Sequence, residues 1–466
     1  MIHNSTNLIK KNIHKINISS KSYLIIILIF ISDISLANRV VGYYPNWVSS
    51  QMAASSIDYE VVTHVNHAFA WPDESGNILS YNNMLSLDFC QTIQSNGVKV
   101  LLSLGGWGND VGFRTVSASS ELRELFIDNL INIVDTYGYN GVDLDWEHPT
   151  SNIDRQNLNL LVSEMDSVFN SHNPDLLITM AVPISNWSGQ WYDFSFLRFY
   201  IDFFNAMTYD IHGGWSSNAG HNSPLFSSPS GDPDGSCETG IDYLVYSRGI
   251  PSEQINLGLP FWGKKYNATD INMPFTGEVV DKLYSEIPSL INNGWSYEWD
   301  STAYAPYLKK DDGTKIITFD NEESIKYKCD FAHNRGLGGV MIWALSYDLV
   351  QSEQRLINSI KENYLFLEYN TENLLPNNFS MKSYPNPFNS NNTIELDLKS
   401  DENISINLIS LNGSFIGELI NQNISKGKFY LKWDMKDFSS KVGSGVFFIR
   451  ASSNNNQIVK KIIYLK

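Results

Sequence analysis

Cysteine is scarce in this chain, with three in 466 residues. That excludes a disulfide-dense scaffold, and an odd count leaves at least one thiol unpaired. No histidine or second cysteine stands at metal-ligand spacing beside Cys90, Cys237 or Cys329, so all three read as buried, inert thiols. Charge is sparse too, at 18% of residues, and positive charge is the scarcer sign. Lys plus Arg number 33 against 50 Asp plus Glu, a net charge of −17. A nucleic-acid binder needs a basic footprint, so no nucleic-acid partner is expected. Long apolar runs are missing, and the nearest approach, Tyr23–Ile31, is short for a membrane span of about 20 residues. Lys10, Lys11, Lys15 and Lys21 precede it, and Ser35-Leu36-Ala37 follows with small residues where a signal peptidase reads. Residues 1–37 are expected to be a secretory signal peptide, with an uncleaved anchor as the alternative. The mature chain is then secreted, extracellular or at the cell surface, without stable membrane insertion.

Aromatic residues, by contrast, are plentiful, with 12 Trp and 24 Tyr. Together with 42% hydrophobic residues they indicate a globular chain whose surplus rings are either core or flat platforms for a ligand. From residue 39 to about 362, eight short apolar runs alternate with helical patterns. The runs are Val40–Tyr44, Val61–Ala70, Val98–Gly105, Gly141–Glu147, Leu176–Pro183, Ile201–Tyr209, Ile255–Pro260 and Gly338–Ser346. Ser119 to Tyr137 opens on a capping sequence and carries Leu122, Leu125, Phe126, Leu130 and Ile133 at helical spacing, and Asp154 to Phe169 behaves similarly. Eight strand candidates, most followed by a helix candidate, predict an α/β fold, a (β/α)₈ TIM barrel over residues 38–365. The stretch between the seventh and eighth strands is too long for one βα unit. An α+β insertion is expected at about 264–334, with strands at Trp295–Asp300 and Lys315–Phe319. Residues 366–378 form a linker, and 379–466 predict a small all-β sandwich from the period-two strands Ile394–Leu398 and Ile404–Leu408 and the strand Val446–Arg450.

The chemistry concentrates at Tyr139–Glu147, where Asp143, Asp145 and Glu147 stand at i, i+2 and i+4. In a strand those side chains share one face, and in a barrel that face is the interior. Glu147 falls at the C-terminal end, where barrel enzymes hold their active sites. Three carboxylates crowded away from water repel one another, so at least one pKa should rise. A carboxyl kept protonated at a strand end is what a general acid requires. A cluster satisfied by backbone donors, or a metal site, is the alternative; no histidine lies at suitable spacing on this strand, and neither metal nor cofactor is expected.

The run N-G-V-D-L-D-W-E closely resembles the D-x-x-D-x-D-x-E signature of glycoside hydrolase family 18, the chitinases, with Asn140 in place of the first acid. Ser103-Leu-Gly-Gly-Trp107 resembles the family's S-x-G-G motif, Met207-Thr-Tyr-Asp210 its M-x-Y-D motif, and Gly339–Trp343 and Gly42–Trp47 its last and first strands. The resemblance implies hydrolysis of β-1,4-linked N-acetylglucosamine by substrate-assisted retention through an oxazolinium. Glu147 would be the acid and base, Asp145 would orient the substrate's acetamido group, Asp143 would share a proton with Asp145, and Tyr209 would hydrogen-bond the acetamido carbonyl. Asp210 and Met207 would line the catalytic subsite and Trp343 would floor it, with Tyr43, Trp107 and Trp215 as candidate sugar platforms. His148 and Lys264 depart from the family's usual residues. The insertion resembles the chitinase insertion domain of one subfamily. Ser383-Tyr-Pro-Asn-Pro-Phe-Asn389 and the strands after it resemble a type IX secretion sorting domain, with a carbohydrate-binding module as the alternative. The expected partners are chitin, chito-oligosaccharides and the type IX machinery. A chitin-binding lectin and an endo-β-N-acetylglucosaminidase acting on N-glycans share the fold, but such lectins usually lose an acid that is present here.

Overall fold

A computed structural model describes residues 39–350, 353–365, 379–410, 415–438, 443–453 and 457–465. The expected leader, 1–37, and the linker, 366–378, lie outside the described residues. Eight parallel strands close into a barrel. They are β1 (Arg39–Pro45), β2 (His64–Pro72), β3 (Lys99–Gly105), β4 (Gly141–Asp145), β5 (Leu177–Val182), β6 (Phe203–Ala206), β7 (Ile255–Pro260) and, after five inserted strands, β13 (Gly339–Trp343). β1 pairs with β13 on one side and with β2 on the other, which closes the cylinder. Near-continuous apolar runs suit such strands because both faces are covered.

The strand at the fourth position is shorter than its apolar run predicts. β4 ends at Asp145, and Glu147 lies two residues beyond it. Two long helices flank it. α1 (Ser120–Tyr137) is capped by Ser119, whose hydroxyl accepts from the Leu122 amide, and ends on Gly138 in the left-handed region. Phe126, Leu130 and Val134 bury its inner stripe, while Leu125 faces solvent. α2 (Asn152–His172) starts earlier than its periodicity suggests because Ser151 supplies the cap. Its buried residues Leu158, Leu161, Val162, Met165 and Phe169 keep the 3.6 period.

Between β7 and β13 lies a separate antiparallel sheet of β8 (Trp262–Asn267), β9 (Thr276–Leu283), β10 (Trp295–Asp300), β11 (Ala305–Lys310) and β12 (Ile316–Thr318), in the order β9-β8-β12-β11-β10. α3 (Glu322–Asn334) then returns to the barrel wall. At the end of the barrel, Lys361 pairs with Glu60 and Asp58, in the segment that enters β2. The last helical turn therefore rests against the N-terminal face of the barrel. The three cysteines are buried and unpaired, and burial raises each thiol pKa, Cys90 to about 12.

The C-terminal region is all β. β14 (Phe379–Tyr384), β15 (Asn391–Leu398) and β18 (Gly427–Asp434) make one sheet. β16 (Glu402–Ser410), β17 (Phe415–Ile424), β19 (Gly445–Ser452) and β20 (Gln457–Tyr464) make the other. Ile394, Leu396, Ile404, Ile406 and Ile449 fill the layer between them. Trp433 is buried there, its indole donating to Asn392 at 3.2 Å, so it offers no flat face to a ligand.

Candidate active site

The register of three neighbouring strands builds the floor of the site. Ser103 on β3, Asp143 on β4 and Thr179 on β5 are Cα partners in line, so their side chains enter the barrel at one level. Asp143 is fully buried and accepts four hydrogen bonds. Ser103 and Tyr43 donate to Oδ2 at 2.9 and 2.7 Å, and Thr179 and Asn205 donate to Oδ1 at 2.6 and 3.1 Å. Four donors fill the acceptor positions of a carboxylate. Burial raises the Asp143 pKa, and those donors offset part of the rise.

Asp145 lies one level higher and is buried, with Oδ1 unpartnered by any protein group. Asp143 beneath it is held by Tyr43, Ser103, Thr179 and Asn205. Burial, followed by the charges of Glu147 and Asp143, pushes Asp145 well above the usual carboxylate range. Its orphaned oxygen points to a ligand group as the missing partner.

Glu147 is held by its neighbours' backbones. The Tyr192 hydroxyl donates to the Trp146 carbonyl at 2.8 Å, and the Trp146 ring stacks on Phe113 at 5.5 Å. The Gly106 amide donates to the Asp145 carbonyl at 2.8 Å. A Cβ at Gly105 would lie 2.1 Å from that same carbonyl oxygen, so the glycine lets the two strand ends meet. Burial, and then the charge of Asp210, lift Glu147 to about 7. Near neutrality it therefore populates both the protonated and the ionised form, which fits it to give a proton up and take one back.

Tyr209 follows β6 in a segment without regular structure. Its ring packs edge-on to Trp262 at 4.9 Å, and its hydroxyl lies 3.9 Å from the Met341 sulfur. Burial and the charges of Asp145 and Glu147 raise its pKa well above the ordinary phenol, so it remains a donor. Met207 and Trp343 join it in one apolar cluster, with Trp343 stacked on Phe69 at 5.6 Å. Asp210 pairs with Lys264 of β8 at 2.6 Å, and Lys264 also reaches Asp281 at 3.0 Å. Burial opposes the Lys264 charge, but these two carboxylates hold its pKa up. Lys264 further sits 5.6 Å from the Trp215 ring. The inserted sheet thus brings Lys264 and Trp262 to the barrel mouth.

The aromatic candidates divide. Trp107 is 75% exposed and Trp215 67%, so both present free faces. Tyr43 is 1% exposed, and its hydroxyl is committed to Asp143. It is corrected from sugar platform to buried donor, because a ring without an accessible face cannot stack on a pyranose. Two exposed indoles were not singled out from the sequence as platforms. Trp47 lies 6.4 Å from Trp343, and Trp187, 70% exposed, lies 5.3 Å from His148, which in turn lies 5.9 Å from Trp107. The available signal was a tryptophan outside any helical or strand period. His148 is half-buried between those two indoles, and burial lowers its pKa. Away from the cleft, His212 faces Asp232 at 3.0 Å and Asp234 at 3.6 Å, while its other nitrogen bonds the His221 carbonyl at 2.9 Å.

A closed (β/α)₈ barrel with a carboxyl of raised pKa beyond two buried acids, ringed by exposed indoles, has the architecture of a glycoside-cleaving enzyme. Residues 39–348 match the family described as Glycosyl hydrolases family 18, and residues 382–465 match the Secretion system C-terminal sorting domain. The chain belongs to glycosyl hydrolase family 18 and carries that sorting domain behind its barrel. It is 30% identical over 357 residues to "Probable chitinase 2" of Drosophila melanogaster, covering 66% of this chain and 72% of the fly protein. It is 27% identical over 394 residues to "Chitinase A1" of Niallia circulans, covering 66% of this chain but only 56% of that protein. The crystal structure of the Ostrinia furnacalis Group IV chitinase superposes with a TM-score of 0.65 at 26% identity, over 70% of this chain and all of that one.

Proposed function

We propose that the protein is an exported chitinase that cleaves β-1,4-N-acetylglucosamine linkages with retention, the substrate's acetamido group acting as nucleophile. The observation that carries this reading is the acidic ladder: Asp143 and Asp145 are buried on β4, and Glu147, raised to about 7 by burial, follows two residues beyond the strand end. Glu147 gives its proton to the glycosidic oxygen as the bond to the anomeric carbon breaks. The acetamido oxygen closes on that carbon to form an oxazolinium. Asp145, whose Oδ1 has no protein partner and which shares its proton with Asp143 below, accepts from the acetamido N–H and offsets the positive charge. Tyr209 donates to the acetamido oxygen. Glu147, now ionised, takes a proton from the incoming water, which opens the ring with the original configuration. Trp343 floors the cleaved sugar, Met207 and Asp210 border it, and Trp107 and Trp215 stack on neighbouring sugars.

In the same reading, residues 1–37 are the leader, 38–365 the catalytic barrel with its insertion near 264–334, 366–378 a linker and 379–466 the type IX sorting domain. The buried Trp433 supports an address over a carbohydrate-binding face. The test is product release from colloidal chitin and N-acetylglucosamine oligomers, with Glu147→Gln beside the wild type. Soluble oligomers from the wild type and a loss of roughly a hundredfold or more in the variant are expected. Chitin binding without release by either protein would leave a lectin. Neither binding nor release would redirect the search to N-glycans.

A further inference from the structure

Lys328 on α3 is fully buried. Its ammonium donates to Asp320 Oδ2 at 2.7 Å and to Ser223 Oγ at 2.6 Å. Asp320 is buried as well, its other oxygen accepting from Ser324 Oγ at 2.7 Å. Because the Ser223 oxygen accepts from the ammonium, its own proton turns the other way. It donates to the backbone carbonyl of Thr208 at 2.5 Å. Cys237 Sγ approaches the same carbonyl at 3.4 Å, and the Thr208 hydroxyl donates to the Gly258 carbonyl on β7 at 2.7 Å. A Cβ at Gly258 would stand 2.4 Å from the Ala206 carbonyl oxygen and 3.0 Å from the Tyr209 ring, so this strand is bare where the segment crosses it.

Thr208 immediately precedes Tyr209. The carbonyl of one and the amide of the other share a rigid peptide plane. Fixing the Thr208 oxygen therefore fixes the plane from which the Tyr209 side chain departs. The segment lies beyond the end of β6, where the last ladder bond runs from the Met207 amide to the Val182 carbonyl at 3.0 Å. A buried ion pair adds little net stability, because desolvation cancels most of the attraction. Stability alone is thus a poor reason to keep a lysine here. We propose that Lys328 is a positioning residue, acting through Ser223 and the Thr208 carbonyl to aim the Tyr209 hydroxyl at the acetamido group. The inference rests on the catalytic reading of Tyr209 given above.

A double-mutant cycle tests it, on the full-length protein with a soluble N-acetylglucosamine oligomer. Ser223→Ala breaks the link and leaves the Lys328–Asp320 pair intact. The loss of one hydrogen bond in a charged chain should lower kcat roughly tenfold with KM little changed. In a Tyr209→Phe background the same substitution should cost less than about twofold, because coupled sites are non-additive. Lys328→Met combined with Asp320→Asn removes the charges together and should show the same pattern, so either arm suffices if the other fails to fold. Full additivity with Tyr209→Phe, or an unchanged kcat for Ser223→Ala, would overturn the proposal while leaving the chitinase reading intact. A wild type that releases no product would overturn both.

Discussion

The Glu147 site should store instability that its loss releases. In the unfolded chain this carboxyl titrates near 4.5, and in the folded protein near 7. Between those values the folded state holds a proton that the unfolded state has lost. Stability therefore falls as pH rises through that window, by about 1.4 kcal/mol per unit, and is flat above it. The gap of about 2.5 units corresponds to roughly 3 kcal/mol at pH 8. A glutamine has no charge to desolvate, so Glu147→Gln escapes this penalty. It also removes the Glu147 charge that repels Asp145, which acts in the same direction. The variant should thus lose activity yet gain up to about 3 kcal/mol over wild type at pH 8, with the gain vanishing near pH 4.5. Urea unfolding of both proteins at pH 4.5, 6 and 8, followed by tryptophan fluorescence, reads the difference directly. A stability difference that stays constant across those three pH values would refute the reasoning.

In the proposed reaction the same proton sets the rate. kcat/KM of the wild type should fall tenfold per unit above about pH 7, and a profile still level at pH 9 would remove Glu147 as the acid. Thr179→Val strips one of four donors from buried Asp143 and should cost about 1–3 kcal/mol of stability in urea unfolding; an unchanged midpoint would show that the donor is not needed. Trp107→Ala should raise KM for long oligomers roughly three- to tenfold at constant kcat, the scale of one aromatic face. Tyr43→Phe should do the reverse in steady-state assays, lowering kcat at constant KM, since its hydroxyl serves Asp143 and not the sugar.

The strands and the acidic ladder were legible because both are local. Period and composition mark a buried strand, and Asp143, Asp145 and Glu147 recur at its period. The strand's early end was not, since Asp145's carbonyl turns to the Gly106 amide and leaves Glu147 beyond the ladder. The partners of Asp143 were hidden for a different reason. Tyr43 lies 100 residues away, and only closure and stagger of the barrel bring its hydroxyl inward. Lys328 reads in sequence as one more lysine of an amphipathic helix. Its burial depends on Ser223 and Asp320, which come from separate loops. Trp187 shows the converse, since exposure of an indole leaves no periodic trace.

Lys361, pinned to Glu60 and Asp58, has a consequence for how the molecule is worn. The described chain enters the barrel at Arg39 and leaves it after residue 365, and both gates stand at the same pole. Glu147 and its ring of indoles open at the opposite pole. A chain that arrives and departs at the rear pole leaves the opposite rim, with Glu147 and its indoles, clear of the described entry and exit segments.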